Sequence, residues 1–317
     1  MQDAIIGHRQ TLEQLYHAIA SNRVAGAYLF VGVANVGKET VALHFAKTIN
    51  CLTSNEGACG TCLACRKADD GNHPDLQIIR PSGTFIKIDQ IRELQKRIIY
   101  RPLEGARKVY ILTEAERLNL EAANCLLKTL EEPPADSVLI LLTTNLDALL
   151  PTIRSRCQII PFHPLMISDL AGYLMERFNI DESQAVSIST AAGGAVGKAL
   201  TMLQEGAGFD DEIPEIMIAG ERLDAFRIAE KWTQQPEALD HLVTWYRDLA
   251  LLHQGASADL LTHIHHAEQL KELAAHYSRL QLQSAIKAIF ETKAMLQRNV
   301  NATLALEVLA LKLLRKP

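Results

Sequence analysis

The stretch "LFVGVANVGKETVALHFAK" (29–47) restricts the possible folds of this chain more than any other. An apolar run ends at Gly32, and Gly37-Lys38 opens a helical pattern, giving the spacing G-x-x-x-x-G-K of a phosphate-binding loop. In such a loop a glycine-rich turn and a helix N-terminus aim backbone N–H groups at phosphates, and the lysine adds charge for the outer ones. The arrangement requires a buried strand before the turn and a helix after it. The surrounding pattern agrees. "AYLFVG" (27–32), "DLQIIRP" (75–81), "KVYILT" (108–113) and "SVLILLTT" (137–144) read as buried strands. They alternate with the helical patterns "KETVALHFAKTIN", "IDQIRELQKRIIY" and "EAANCLLKTLEE". Strands alternating with helices at this spacing predict crossover connections and a parallel sheet. Pro133-Pro134 ends the last of these helices just before a strand.

Strand-like runs disappear after about Phe162. Residues 165–205 read as three short helices, the last preceded by a glycine break in "AAGGAVGKALTML". "GAGFDDEIP" (206–214) reads as a linker. Beyond it "PEALDHLVTWYRDLALLHQ", "AEQLKELAAHYS", "LQLQSAIKAIFETKAMLQR" and "ATLALEVLALKLLRK" carry apolar residues at helical spacing, which predicts a bundle. At 317 residues, 48% of them hydrophobic, the chain has room for two or three domains with real cores. Its net charge of −5 excludes a basic surface overall and leaves room only for a local patch. The apolar runs are too short to cross a bilayer, and "MQDAIIGHRQ" is not an export signal, so the reading is cytoplasmic with no membrane partner.

The loop departs from an ATPase at its metal site. Glu39 stands where a Ser or Thr hydroxyl would ligate Mg²⁺, and an anionic carboxylate there repels a triphosphate. Thr40 is no substitute, because the next helical residue points about 100° away. At the end of "KVYILT" an active ATPase carries Asp-Glu, the Asp supporting Mg²⁺, whereas this chain has Thr113-Glu114. Both departures argue against hydrolysis by this chain and make its ATP binding doubtful, with Gly32, Gly37 and Lys38 left as a degenerate phosphate site.

Cys51, Cys59, Cys62 and Cys65 follow the loop helix as C-x₇-C-x₂-C-x₂-C. Four thiolates in a reducing compartment suit structural Zn²⁺ with no open coordination position. An iron–sulfur cluster, plain thiols, or His73 in place of Cys51 are the alternatives. Cys125 reads as helix core. Further on, "LPTIRSRCQIIPF" (150–162) sets Arg154 and Arg156 in a short segment before the last strand. By themselves they are two surface arginines; beside a loop without metal chemistry, a projecting guanidinium can serve a neighbour's γ-phosphate.

Together the defective loop, the four-cysteine knuckle, "NCLLKTLEEPP", "SRC" and "NVNATLALEVLALKLL" (299–314) resemble the bacterial DNA polymerase III clamp-loader subunits, and within them the delta-prime class, essentially end to end. The resemblance implies an α/β P-loop AAA+ parallel-sheet domain (1–163, with the zinc module at 51–65), a small helical lid (164–208) and a C-terminal all-α collar domain (209–317). It implies a ring with delta and gamma/tau subunits, and contact with the sliding clamp and primed DNA. Carried over by motif, Ser155-Arg156-Cys157 makes Arg156 the finger toward ATP in an adjacent gamma/tau subunit. Gly197 stands where active relatives carry a phosphate-sensing arginine. The resulting expectation is a non-catalytic stator. The competing readings are a gamma/tau-type ATPase and a zinc-dependent DNA-binding protein, the latter weakened by how few basic residues accompany Arg66 and Lys67 in the knuckle.

Overall fold

The computed structural model describes residues 5–54, 56–205, 224–234, 238–263, 266–296 and 300–313. The expected linker at 206–214 lies outside them. Residues divide into two compact units, 1–179 with 192–198, and 180–191 with 199–317.

The first unit is built on five parallel strands, β1 (Ala27–Val31), β2 (Leu76–Ile79), β3 (Lys108–Leu112), β4 (Ser137–Thr143) and β5 (Gln158–Pro161), in the order β2-β3-β4-β1-β5. Strand β1 lies between β4 and β5, and helices cover both faces of the sheet, so Ala27–Phe30 are buried, in keeping with a near-continuous apolar run. Alternation divides them: Tyr28 and Phe30 enter the core that also holds Val41 and Phe45, while Ala27 and Leu29 enter the opposite one with Leu139 and Leu141. Helices α1 (Arg9–Ala20) and α2 (Lys38–Ile49) contribute Leu15, Val41 and Phe45 to the first core. Helices α4 (Ile88–Ile98) and α5 (Leu120–Glu131) contribute Ile91, Leu94 and Leu126 to the second, and the short α3 (Leu63–Asp69) precedes β2. Before β5 comes a single turn of helix, α6 (Pro151–Arg154).

The three short helices expected in 165–205 are present as α7 (Ile167–Phe178), α8 (Glu182–Ala191) and α9 (Val196–Glu205). Gly193 and Gly194 break the chain between the last two at φ +61° and +76°, backbone that favours glycine.

In the second unit, α10 (Asp224–Gln234), α11 (Ala238–His253), α12 (Ala267–Ala275), α13 (Arg279–Leu296) and α14 (Ala302–Leu313) surround a core centred on Trp232, Trp245, Leu249, Leu270, Ile289 and Leu309. One buried charge is part of this packing. Asp248 is fully buried and accepts from the backbone N–H groups of Thr262 (3.1 Å) and His263 (2.9 Å), while its carboxylate also meets His263 Nδ1 at 2.8 Å. No helix among the described residues is long and apolar enough to cross a membrane.

Asp75, only 3% exposed, fixes the long connection between α4 and β3. Its carboxylate accepts from the N–H groups of Leu103, Glu104 and Gly105 at 2.8–3.0 Å. Burial opposes its ionisation, but these donors outweigh burial and hold the carboxyl below its usual range. Asp75→Ala leaves three backbone donors without their acceptor and is expected to cost about 1–3 kcal/mol at neutral pH, read from denaturant midpoints. Because the folded value is depressed, this contribution is complete above the unfolded value of about 4 and is lost as pH falls through the folded one, so the gap between variant and wild type narrows in acid.

Candidate functional site

Where β1 ends, the chain turns sharply at Gly32. A Cβ there would lie 2.4 Å from the Phe162 carbonyl oxygen, so no other residue fits the turn without displacing backbone. Gly37 caps α2 at φ +104°, and Lys38 is the first helical residue. Lys38 is 8% exposed, and its ammonium donates to the Gly32 and Val33 carbonyls, both at 2.6 Å. Burial lowers its pKa, and the charge of Glu116 partly offsets that. The loop is held from two further sides. His8 Nε2 donates to the Val36 carbonyl at 2.8 Å, and the Gly197 N–H donates to the Asn35 carbonyl at 2.8 Å.

On the side of the loop where a metal would sit, the side chains have protein partners. Glu39 receives Arg80 as a forked ion pair, at 2.5 and 3.2 Å. Thr113 is buried at the end of β3 with its hydroxyl on the Ile79 carbonyl at 3.4 Å. Glu114 follows in left-handed backbone, φ +50°, and pairs with Arg117 at 3.1 Å. No pair of oxygens equivalent to a hydroxyl and an aspartate therefore faces Lys38 from these positions. At Gly197 an added Cβ would press on Asn35 Cβ at 3.1 Å and on its carbonyl oxygen at 3.2 Å, so a longer side chain there would displace the loop it is meant to read.

Cys51, Cys59, Cys62 and Cys65 converge, with all four Sγ atoms within 4.8 Å of one another. The separations Cys51–Cys62 and Cys59–Cys65 are 4.0 and 3.9 Å. Tetrahedral bonds of about 2.3 Å to one ion place sulfurs about 3.8 Å apart, so the donor set fits a closed metal site. N–H groups already aim at the sulfurs: Cys62 N to Cys59 at 3.3 Å, and Cys65 N to Cys62 at 3.5 Å, where Cys62 caps α3. Hydrogen bonds, from Thr53 first, pull the Cys59 thiol down to about 5, whereas burial pushes Cys65 up to about 12. His73 lies outside this group; its Nδ1 accepts from Asp75 N at 3.1 Å. Cys125 is half-buried and donates to Gln95 Oε1 at 3.2 Å.

Ser155 and Arg156 lie at the end of α6, on the surface. The Arg156 guanidinium reaches Glu131 Oε1 at 2.7 Å and the Thr152 carbonyl at 3.0 Å. Arg154 points elsewhere, to Asp147 at 3.0 Å.

Family models described as "DNA polymerase III, delta subunit" and "DNA polymerase III, delta subunit, C terminal" match residues 7–166 and 212–314. The delta-prime subunit of Bacillus subtilis is 31% identical, over 96% of this chain and 95% of its own length. The chain belongs to the DNA polymerase III delta-prime family. The Pseudomonas aeruginosa delta-prime subunit is 34% identical over 72% of this chain and 71% of its own. The tau subunit of Bacillus subtilis is 31% identical, but over 67% of this chain and 38% of its own length. A DNA polymerase III gamma-subunit-related protein from Thermotoga maritima superposes with a TM-score of 0.50 at 19% identity, covering 96% of this chain and 99% of its own, which fixes the fold. The first unit accordingly has a five-stranded parallel α/β fold, and the second family model covers the C-terminal helices.

Two contributors to this family member's loop were not visible as motifs. His8 stands before any recognisable element, in left-handed backbone at φ +52°. Glu116 lies on a 3-10 turn (Ala115–Arg117), near enough for its charge to act on Lys38. Its Oε1 accepts from the Thr144 hydroxyl at 2.6 Å, and Oε2 is buried without a partner among the described residues. Burial opposes its ionisation, but the Thr144 and Thr143 bonds outweigh that and keep it acidic. Because the Gly32 turn is set by backbone contact, Gly32→Ala is expected to destabilise the fold by about 1–3 kcal/mol. Thermal unfolding measures it.

Proposed function

We propose that this chain is a non-hydrolysing subunit of the DNA polymerase III clamp loader that completes an ATP site in a neighbouring gamma/tau subunit with Arg156. The observation that carries the reading is Glu39 held by Arg80 at the position of the metal-binding hydroxyl. A carboxylate neutralised by protein is a poor ligand for Mg-ATP, and the phosphate-reaching lysine already serves two carbonyls. Gly32, Gly37 and Lys38 then keep the shape of the loop as a rigid scaffold. Arg156 stands outside, on a surface segment preorganised by α6. A guanidinium brought to a γ-phosphate stabilises the charge that spreads over the transferring group.

The family supports delta and gamma/tau subunits as partners, in a cytoplasmic assembly that opens the sliding clamp at primed DNA. In that assembly the three-part division stands as a proposal: AAA+ domain 1–163, lid 164–208 and collar 209–317. Cys51, Cys59, Cys62 and Cys65 hold structural Zn²⁺, which cross-links the segment between α2 and β2 and performs no chemistry on substrate.

A gamma/tau-type ATPase is the second reading, favoured by the retained Lys38 and Glu114 and by the identity to tau. Phosphate release by the isolated chain separates the two: none above a Lys38→Ala control is expected here, and Lys38-dependent release would establish the ATPase. In the assembly reconstituted with delta and gamma/tau, Arg156→Ala is expected to lower clamp-stimulated turnover by about 10³-fold at the site it serves, diluted by the other sites. Wild-type turnover by that variant would remove the finger. Elemental analysis is expected to find one zinc per chain, lost on Cys65→Ser. Release should quicken as pH falls, since the ligands are thiolates.

A further inference from the structure

The motif "NCLLKTLEEPP" takes no part in the phosphate loop or the cysteine knuckle, yet it contains the residue that pairs with Arg156. Glu131 is the last residue of α5, and its Oε1 takes Arg156 Nη2 at 2.7 Å. The other amino group, Nη1, donates to the Thr152 carbonyl at 3.0 Å and reaches Ser155 Oγ at 3.4 Å, while the Ser155 hydroxyl donates to the same carbonyl at 3.2 Å. A carboxylate from α5 paired with one amino group and a carbonyl from α6 bonded to the other hold the guanidinium from two elements.

Stability does not account for this pair. Its side chains are 34% and 50% exposed, where an ion pair adds little. A glutamate in the last turn of a helix also has the wrong sign for the helix dipole, so α5 alone would be better without it. What the pair does supply is orientation of a long side chain that would otherwise sample many rotamers. A guanidinium has five N–H donors, so these two acceptors leave donors for a phosphate oxygen arriving from a neighbour.

We propose that Glu131 is a positioning residue for Arg156, holding the finger before assembly in the orientation in which it meets the neighbouring ATP. The inference rests on the finger reading above, and acts only through Arg156.

The test uses the complete reconstituted clamp loader, comparing Glu131→Ala, Glu131→Gln, Arg156→Ala and the double variant Glu131→Ala/Arg156→Ala by steady-state ATP turnover. Glu131→Ala is expected to lower kcat about tenfold with little change in KM for ATP, because orientation matters in the transition state and not in nucleotide binding. Glu131→Gln, which keeps the oxygen and the size but not the charge, should recover part of the loss. The double variant should be no slower than Arg156→Ala alone, as for two residues on one path. Thermal unfolding of the purified chain should show no loss for Glu131→Ala, since an unfavourable helix-end charge has gone. Wild-type or faster turnover by Glu131→Ala, or losses that multiply in the double variant, would overturn the proposal. If Arg156→Ala itself turned over normally, the finger reading would fail, and Glu131 with it. A slow Arg156→Ala beside a normal Glu131→Ala would sink the positioning role alone.

Discussion

The close approach of two backbones, at Gly32 and Phe162, sets the geometry on which the rest of this protein depends. Strand β1 is hydrogen-bonded to β4 on one side and β5 on the other, so the chain leaving it cannot drift sideways. Phe162 closes the corner: its N–H donates to the Val31 carbonyl at 2.7 Å, and its ring packs on Phe30 and His8. With the Phe162 carbonyl where a side chain would begin, the turn must start on glycine. The helix that follows is then launched so that its first residue, Lys38, can return to the carbonyls of Gly32 and Val33. Buried in this way, the ammonium gains two acceptors that replace water, which is what lets a charge sit at the edge of a core.

A loop completed by its own lysine has less need of a ligand. In a nucleotide engine the turn's donors and the lysine are satisfied by phosphate, and the loop is ordered at that cost. Here the lysine's bonds, the His8 contact and the Gly197 N–H brace the turn with protein groups alone. The charges around it tend the same way. Glu39 and Arg80 neutralise each other, and Glu116 brings a second carboxylate close enough to be felt by Lys38. Arg156 is placed on the opposite principle, at the surface, with its orientation set by acceptors from two elements.

The fold of the first unit could be read from the chain because its strands are buried on both faces, and such strands are short apolar runs between turn residues. "KVYILT" and "SVLILLTT" match β3 and β4 to within a residue at one end. Helices with weaker signals escaped. The N-cap of α1 is His8, whose side chain makes no cap bond, so no Ser or Asp marks the start. In α3 the cap is Cys62, accepting from Cys65 N, and a residue type associated with metal conceals a seven-residue helix. The helix α10 follows the 206–214 segment and carried no boundary of its own.

By itself the sequence determined which chemical groups this chain has and which it lacks. It fixed a glycine turn with a lysine, a carboxylate where a metal ligand belongs, four thiols at close spacing, and an arginine in "SRC". Those are matters of covalent order, and covalent order is all that spacing reports. Tertiary structure decided the partners of each charge. Arg80 is 41 residues from Glu39, Glu131 is 25 from Arg156, and Gly197 is 162 from Asn35. No local pattern encodes such pairings, because they exist only where the sheet order and helix packing bring distant backbone together, and there a charge takes the nearest acceptor that geometry allows.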